Sequence, residues 1–239
     1  MRVYKVEKNW RTRIPVALAC GNFVIIKIDT TGLDAEKDDI IGFHLAMYRM
    51  TNQHLEQMPH TLECYVMTDK KIPEEVTNIN GISNAFLDCE ASDTLDSAML
   101  AVKNFLGDNS VLLGYNMSFI GDFLKAAMKK TGIKLNFVTS IDLLRMAHSL
   151  LDIKYYNRNS VLKALGIKDS FVAASDALAF QKLLALDPCG NIIVKTVFHD
   201  GTLTSVFGSA RLNERGFLEE LTPGLFDVVD MDHFYGGVA

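Results

Sequence analysis

Two side chains of opposite charge stand two residues apart near the end of an apolar run. Lys27 and Asp29 belong to residues 23–29, which are rich in β-branched side chains and end at a Thr-Thr-Gly turn. This composition predicts a strand that runs into a loop. Because alternate residues of a strand share a face, Lys27 and Asp29 should point the same way. A lysine ammonium offers hydrogen-bond donors only, so this spacing indicates an ion pair or, alternatively, a lysine that extends to solvent.

The predicted elements that position these residues change along the chain. Strands come first, and strands that alternate with helices follow. Three strands in series predict an antiparallel meander, and the later alternation predicts an α/β layer with a mixed sheet. The predicted strands are residues 23–29, 38–50, 61–67 and 110–115. Apolar spacing and capping residues predict helices from 92 to about 106, from 116 through 127, and over 140–151, 159–165 and 172–186.

The pattern changes after Asp187 and Pro188. Residues 192–198 and 203–207 flank an Asp-Gly pair, which favours a β-hairpin because this pair tolerates positive φ. We therefore predict two units. The first is a domain over residues 1–187 with a short basic N-terminal arm, and the second is a C-terminal hairpin and tail extension over residues 188–239.

Composition limits the functions that this chain can have. It has 239 residues, a net charge of −5 and a sequence pI near 5.7, so broad phosphate neutralisation is excluded and any nucleic-acid contact must be local. One candidate patch contains Lys125, Lys129, Lys130 and Lys134, for which a solvated helix face is the alternative. The four cysteines are widely spaced, which argues against a zinc site. With no apolar run long enough for a bilayer, we expect a cytoplasmic protein without a membrane association.

Three segments resemble, in order and spacing, the three motifs of the DEDDh exonuclease family, which includes DnaQ-like proofreading subunits and RNase T. They are residues 27–33 (KIDTTGL), 114–124 (GYNMSFIGDFL) and 171–178 (FVAASDAL). The resemblance covers residues 22–186. It implies an α/β, ribonuclease H-like fold with a mixed β-sheet flanked by helices, to which the small C-terminal β-hairpin would be an extension.

The resemblance also implies a reaction centre. In this family four carboxylates hold two divalent ions about 4 Å apart, and a histidine takes a proton from the attacking water. The residues at these positions here are Lys27, Asp29, Ile120 and Asp176, with Phe171 at the position of the base. No catalytic residue is therefore assigned. Only Asp29 and Asp176 keep the oxygen ligands that Mg²⁺ requires, and they alone would be metal ligands if a metal binds.

The lysine at a metal-ligand position leads to a structural prediction. Its ammonium would lie between Asp29 and Asp176, where the resemblance implies a metal, and an internal triad would replace the cation. Both carboxylates also have a simpler interpretation, as caps of the turn and the helix that they border.

The positions that contact a nucleotide in the family match the family pattern better than the positions of the reaction centre do. The resemblance implies that a 3′-terminal nucleotide contacts the loop and cleft formed by Thr30, Thr31, Leu33, Asn116 and Phe119. Structural roles are the alternative, because Thr-Thr-Gly makes a tight turn and Phe119 suits a core.

Three functions follow. The first is an exonuclease-family domain that is catalytically impaired or inactive and retained to bind nucleic acid or protein, with no cofactor. The second is an active 3′–5′ exonuclease that uses Mg²⁺ or Mn²⁺ in a rearranged site, on DNA or RNA ends. The third is a structural or assembly protein. The corresponding partners are a single-stranded 3′ end or a nucleotide, and a protein partner or a second copy in a homodimer.

Overall fold

A five-stranded mixed sheet forms the centre of the fold. The computed structural model describes residues 13–51, 54–91, 93–168, 172–186, 192–199, 202–212, 218–220 and 227–229. The sheet has the order β3-β2-β1-β4-β5. Its strands are β1 (Asn22–Thr30), β2 (Ile40–Thr51), β3 (His54–Tyr65), β4 (Val111–Gly114) and β5 (Thr139–Asp142). The first three strands pair antiparallel, whereas β4 pairs parallel with β1 and with β5. The predicted meander and mixed sheet are confirmed.

Eight helices accompany this sheet in the part of the chain that the structure describes. They are α1 (Ile14–Cys20), α2 (Glu74–Asn80), α3 (Asn84–Glu90), α4 (Leu95–Leu106), α5 (Met117–Thr131), α6 (Leu143–Leu150), α7 (Arg158–Ala164) and α8 (Val172–Leu186). One core cluster joins a face of the sheet to α1, α6, α7 and α8, and a second joins the opposite face to α4 and α5. The α/β prediction, with helices flanking the sheet, is thereby confirmed.

Strand β1 is apolar on both faces because helices cover both. Phe23 and Ile25 belong to the cluster on the α8 side, whereas Val24, Ile26 and Ile28 belong to the cluster on the α5 side. The alternation places Lys27 and Asp29 on the α8 side, beyond the last apolar residue of that row. Apolar packing on both faces therefore holds β1 in place, and the C-terminal end of β1 carries Lys27 and Asp29.

Three local predictions differ from the structure. β3 begins at His54, seven residues before the predicted strand 61–67. Most of the residues that precede Thr61 in β3 are exposed, so this part of the strand lacks the alternation of apolar and polar residues by which a strand is recognised. The predicted helix over 140–151 is divided into β5 and α6, since Asp142 ends the strand and caps the helix by accepting a hydrogen bond from the Leu144 amide. The helices α1, α2 and α3 were not predicted. Each has only seven residues, which is too short for an apolar stripe to be recognised.

The C-terminal strands form a second sheet. They are β6 (Ile192–His199), β7 (Thr202–Leu212), β8 (Leu218–Glu220) and β9 (Asp227–Val229). β6 pairs antiparallel with β7. The Asp-Gly pair of the predicted turn lies outside the described residues, and the division of the chain at residue 187 stays a prediction.

In the described part of the chain, no helix has both the length and the apolar character needed to cross a membrane.

The packing of β1 against α8 is expected to dominate stability. Phe180 is fully buried, and its ring centroid lies 5.5 Å from that of Phe23. We expect Phe180→Ala to lower the free energy of unfolding by about 3–5 kcal/mol, because it removes a large buried ring and leaves a cavity. Urea denaturation measures this change. The matched control is Leu178→Ala on the same helix, whose side chain is exposed and whose loss should cost about 0.5 kcal/mol or less. Equal losses would contradict this packing.

Candidate functional site

The predicted contact between Lys27 and Asp29 is present. Lys27 Nζ lies 2.9 Å from each of the two Asp29 carboxylate oxygens. The Asp29 side chain is 6 % exposed and that of Lys27 is 38 % exposed, so a buried anion is covered by a cation that still reaches solvent. Both carboxylate oxygens of Asp29 are thus engaged by protein donors.

His44 is a second partner of Asp29, and the sequence did not indicate it. Its Nε2 lies 2.7 Å from Asp29 Oδ2. An ionised carboxylate only accepts hydrogen bonds, so this nitrogen carries the proton and donates it. His44 stands on β2 directly opposite Lys27 in the antiparallel register. The buried carboxylate therefore receives donors from two neighbouring strands.

A glycine makes room for this histidine. Gly42 pairs with Asp29 across the same two strands. A Cβ at Gly42 would lie 3.3 Å from His44 Nε2 and 3.4 Å from Asp29 Cβ, both of which are tight contacts. The absent side chain is therefore what lets the His44 ring lie against Asp29.

The network continues onto β3. His44 Nδ1 lies 3.5 Å from Glu63 Oε1, and the Tyr65 hydroxyl donates to the same Glu63 oxygen at 2.6 Å. That hydrogen bond, together with burial and the Glu63 charge, raises the pKa of Tyr65 to about 12. The Tyr65 ring also packs edge-on against the His44 ring at 5.8 Å. The imidazole is thus held by a carboxylate on either side and by an aromatic ring.

The ionisation of Asp29 depends on these neighbours. Burial by itself raises the pKa of Asp29, because a carboxylate loses hydration. The hydrogen bond from His44, and then the charge and hydrogen bond of Lys27, act in the opposite direction and hold the pKa below its ordinary value. Asp29 is therefore an anion at neutral pH despite its burial.

Asp176 has a different cation beside it. Arg158 Nε donates to Asp176 Oδ1 at 2.8 Å, and Arg158 Nη2 donates to the Val172 carbonyl at 3.2 Å. Asp176 is buried, with a side chain that is 3 % exposed. The predicted triad is therefore wrong in one part: Lys27 pairs with Asp29 as expected, but Asp176 pairs with Arg158 instead. No pattern in the sequence indicated Arg158, which lies 18 residues before Asp176 and on another helix.

Ile120 lies in the core and not at a polar surface. It is buried on α5 among the residues that pack under β1. Gly114 brings this helix close, because a Cβ there would meet the Ile26 carbonyl oxygen at 2.9 Å and Ile120 Cδ1 at 3.1 Å. Phe171, at the position of the base in the resemblance, lies outside the described residues.

Asn116 begins α5 in a left-handed conformation, with φ 64°. Its side-chain oxygen accepts a hydrogen bond from the Phe119 amide at 3.4 Å, and its own amide donates to Asp142 Oδ1 at 3.0 Å. Asp142 also caps α6, so one carboxylate joins the starts of two helices. The structure thus gives Asn116 a structural role, and its nucleotide contact stays a prediction.

The two threonines that follow Asp29 shape the turn. Thr30 Oγ1 donates to the Gly32 carbonyl at 2.6 Å. Thr31 Oγ1 accepts from the Asp39 amide at 3.0 Å, and both side chains are buried. Their hydroxyls hold the chain so that Leu33 projects, and the Leu33 side chain is 87 % exposed.

Leu33 and Phe119 lie on the same cleft. This cleft has a volume of about 1010 Å³ and separates the loop of residues 33–36 from the outer face of α5. Three lysines of the predicted basic patch also line it: Lys125, Lys129 and Lys130. The structure therefore brings together two of the predicted nucleotide-binding residues with most of that patch.

We find no group of three or more histidine, cysteine, aspartate or glutamate side chains placed to hold a metal ion, within the part of the chain that the structure describes. The carboxylates of Asp29 and Asp176 are the predicted ligands, and each has a cationic side chain within 3 Å.

Comparison with known proteins identifies the family. The exonuclease family model of the RNase T type matches residues 24–184. This match covers well over half of the chain and includes the strands and helices that carry Lys27, Asp29, Ile120 and Asp176. The chain belongs to this exonuclease family.

Relatives in sequence include DNA polymerase III proteins. The PolC-type DNA polymerase III of Thermotoga petrophila is 29 % identical over 148 residues, which are 62 % of this chain and 10 % of that protein. The DNA polymerase III subunit epsilon of Rickettsia typhi is 29 % identical over 167 residues, which are 68 % of this chain and 70 % of that subunit. The chain spans about a tenth of the length of the PolC-type relatives that it matches.

Solved structures show the same fold. Exonuclease I in its apo form matches with a TM-score of 0.59 and 14 % identity, covering 70 % of this chain and 43 % of that chain. E. coli exonuclease I in complex with an oligonucleotide matches with a TM-score of 0.58 and 15 % identity, covering 82 % and 53 %. At these identities the likeness shows the fold alone, and it confirms the ribonuclease H-like prediction.

The space over Gly42 provides the first test of the site. We expect Gly42→Ala to lower the free energy of unfolding by about 1–3 kcal/mol, since the added methyl group must displace His44 or Asp29. Thermal or urea denaturation measures it. The control is Gly121→Ala in α5, where an added Cβ meets nothing within 4 Å and should stabilise the helix by about 0.5–1 kcal/mol. A neutral Gly42→Ala would show that His44 does not depend on this space.

A double-mutant cycle tests the ion pair itself. Lys27→Met leaves a buried carboxylate with His44 as its remaining side-chain hydrogen-bond donor, and Asp29→Asn removes the charge that Lys27 covers. We expect the double variant to be more stable than the sum of the single effects predicts, with a coupling of about 1–2 kcal/mol, between the values for exposed and buried pairs. Urea denaturation of the four proteins gives this coupling. A coupling near zero would mean that solvent competes fully with the contact.

Proposed function

We propose that this exonuclease-family domain binds single-stranded nucleic-acid 3′ ends or nucleotides without efficient metal-dependent hydrolysis. The observation that supports the proposal most strongly is the contact of Lys27 Nζ with both Asp29 oxygens at 2.9 Å. A divalent ion needs those oxygens as ligands. A lysine ammonium at the same position supplies positive charge but cannot activate a water molecule as a metal does.

The other reaction positions support the same conclusion. Ile120 contributes no ligand and is part of the core. Asp176 is buried against Arg158, a cation that would repel a metal ion. The residues present therefore do not fit a two-metal centre, and we assign no hydrolytic step to them.

Binding would rest on positive charge and on the exposed loop. The part of Lys27 that reaches solvent can attract a phosphate, since a hydrogen bond between an ammonium and an anionic oxygen is stronger than a neutral one. Leu33 can contact the terminal base, because its side chain projects into the cleft that Phe119 also lines. Such binding would require neither Mg²⁺ nor Mn²⁺.

The proposal extends to location and assembly. We propose a cytoplasmic location, which would suit a chain whose relatives in sequence are DNA polymerase III proteins by name. A protein partner or a second copy of the chain, bound through residues 188–239, stays a prediction. Deleting those residues should abolish such an association.

Fluorescence anisotropy with a labelled single-stranded dinucleotide tests the binding role. We expect the same affinity in EDTA and in excess Mg²⁺, and an affinity about tenfold weaker for Lys27→Ala, the loss expected for one charge-assisted contact. The control is Lys103→Ala on α4, an exposed lysine outside the cleft.

A nuclease assay tests the absence of efficient catalysis. The chain is incubated with labelled single-stranded DNA or RNA and Mg²⁺ or Mn²⁺, and we expect no turnover that depends on the metal. Metal-dependent turnover that disappears in both Asp29→Ala and Asp176→Ala would overturn the proposal and establish an active exonuclease.

A further inference from the structure

Two arginines lie beside β5, the outermost strand of the sheet on the side opposite to β3. Arg13 Nη1 donates to the Ser140 carbonyl and to Ser140 Oγ, both at 2.9 Å. Arg145 Nη2 donates to Ser118 Oγ at 3.2 Å, and its Nε lies 3.6 Å from Asp142 Oδ2. The segment before α1, the start of α5 and the helix α6 thus bring two guanidinium groups to the end of one strand.

The strand sets the distance between these two groups. Ser140 and Asp142 are two residues apart on β5, so their side chains share a face and lie about 7 Å from each other. Arg13 contacts the first of these residues and Arg145 contacts the second. One tetrahedral oxyanion bridges a gap of this size, because each contact between a guanidinium nitrogen and an anionic oxygen spans about 2.8 Å.

Asp142 is the acidic side chain that contacts these cations, and its charge is shared. Its side chain is 8 % exposed, and its Oδ1 accepts hydrogen bonds from the amides of Asn116 and Leu144, both at 3.0 Å. The starts of α5 and α6 therefore use one carboxylate oxygen between them. The other oxygen faces Arg145 at a distance longer than a hydrogen bond. Two guanidinium charges thus stand against one carboxylate.

The two positive charges act on each other. Burial, and then the charge of Arg145, lower the pKa of Arg13, whereas Asp142 acts in the opposite direction. Arg13 remains a cation, since a guanidinium is not deprotonated in proteins. Asp122, the acidic residue of α5, lies 3.6 Å from Lys125. An anion between the two arginines would therefore relieve a repulsion that the described side chains leave in place.

Both arginines have donors left for a ligand. Within the described residues, the contacts of Arg13 use Nη1 and those of Arg145 use Nε and Nη2, so each guanidinium keeps further N–H groups. The Arg145 side chain is 40 % exposed, and Ser118 is exposed. Ser118 also lies in the first turn of α5, a helix of 15 residues whose dipole favours an anion at this end. Charged and neutral donors are thus accessible together.

We propose that Arg13, Arg145 and Ser118 form a binding site for a phosphate-type oxyanion at the end of β5. The two guanidinium groups hold two oxygens of the anion, and the Ser118 hydroxyl donates to a third. The site needs no base or sugar, and it does not use the contact of Lys27 with Asp29. A bound anion joins the segment before α1 to α5 and α6, so it stabilises the folded chain as its concentration rises.

Titration calorimetry of the full chain with inorganic phosphate tests this site. Arg13→Met and Arg145→Met should each weaken the binding at least tenfold, since each variant removes a charge-assisted contact. The control is Arg49→Met, which makes the same change of charge at an exposed arginine of β2. The control should bind phosphate as the wild-type chain does.

Two further variants keep the test independent of folding. Ser118→Ala removes an exposed hydroxyl and should weaken phosphate binding, while the melting temperature in phosphate-free buffer stays unchanged. Arg145→Lys keeps the positive charge but loses the planar pair of donors, so its affinity should fall between those of the wild-type chain and Arg145→Met. An Arg145→Lys variant as weak as Arg145→Met, together with a neutral Ser118→Ala, would contradict the proposed geometry.

Other anions define what the site accepts. Glycerol phosphate distinguishes a free ion from an esterified phosphate, and binding of either at the arginines supports the site. Acetate should bind at least tenfold more weakly than phosphate, because it carries one charge and two oxygens. Acetate that binds as tightly as phosphate would contradict a site for a tetrahedral oxyanion.

The remaining outcomes separate this site from the proposed function. The inference is wrong if the wild-type chain does not bind phosphate at millimolar concentration, or if Arg49→Met loses as much affinity as the two arginine variants of the site. It is also wrong if Lys27→Ala abolishes phosphate binding while Arg13→Met and Arg145→Met retain it, because the anion would then be held at Lys27. The effect of Lys27→Ala on the dinucleotide judges the proposed function alone.

Discussion

The carboxylate of Asp29 is the group on which the site depends. It is buried at the end of the central strand, and a buried anion is costly unless donors surround it. Lys27 from the same strand and His44 from the next strand supply those donors, at 2.9 and 2.7 Å. Gly42 leaves the space that the imidazole needs, and Glu63 and Tyr65 hold the imidazole from the other side. Three antiparallel strands must therefore keep their register for this one charge to stay buried.

The same requirement links the fold to the proposed function. Helices cover both faces of the sheet up to the end of β1, so the charged row begins where the apolar row stops. A second carboxylate, Asp176, is satisfied in an analogous way by Arg158. Two positions that hold metal ligands in the family resemblance are thus neutralised by side chains of this chain. A site that is neutral without metals can still present the exposed part of Lys27 to a phosphate, which is why we propose binding rather than hydrolysis.

The sequence predicted what depends on neighbours along the chain. Alternation within residues 23–29 placed Lys27 and Asp29 on one face, and the order of three motifs predicted the mixed sheet and its helices. It did not predict His44 or Arg158. His44 meets Asp29 only through the register of β1 with β2, in which His44 stands opposite Lys27 and Gly42 opposite Asp29. Arg158 meets Asp176 through the packing of α7 on α8. Such contacts depend on tertiary geometry, for which a single sequence carries no periodic signal. For the same reason the basic patch could be recognised on α5, but its place opposite Leu33 could not.

Calorimetric titration of the full chain with Mn²⁺ tests the central claim most directly, because it measures whether Asp29 is available to a metal. With Lys27 and His44 occupying both carboxylate oxygens, the account predicts no stoichiometric binding at millimolar Mn²⁺. Binding of one or two ions per chain that is lost in Asp29→Asn would contradict the account. It would show that Mn²⁺ displaces Lys27 from the Asp29 carboxylate.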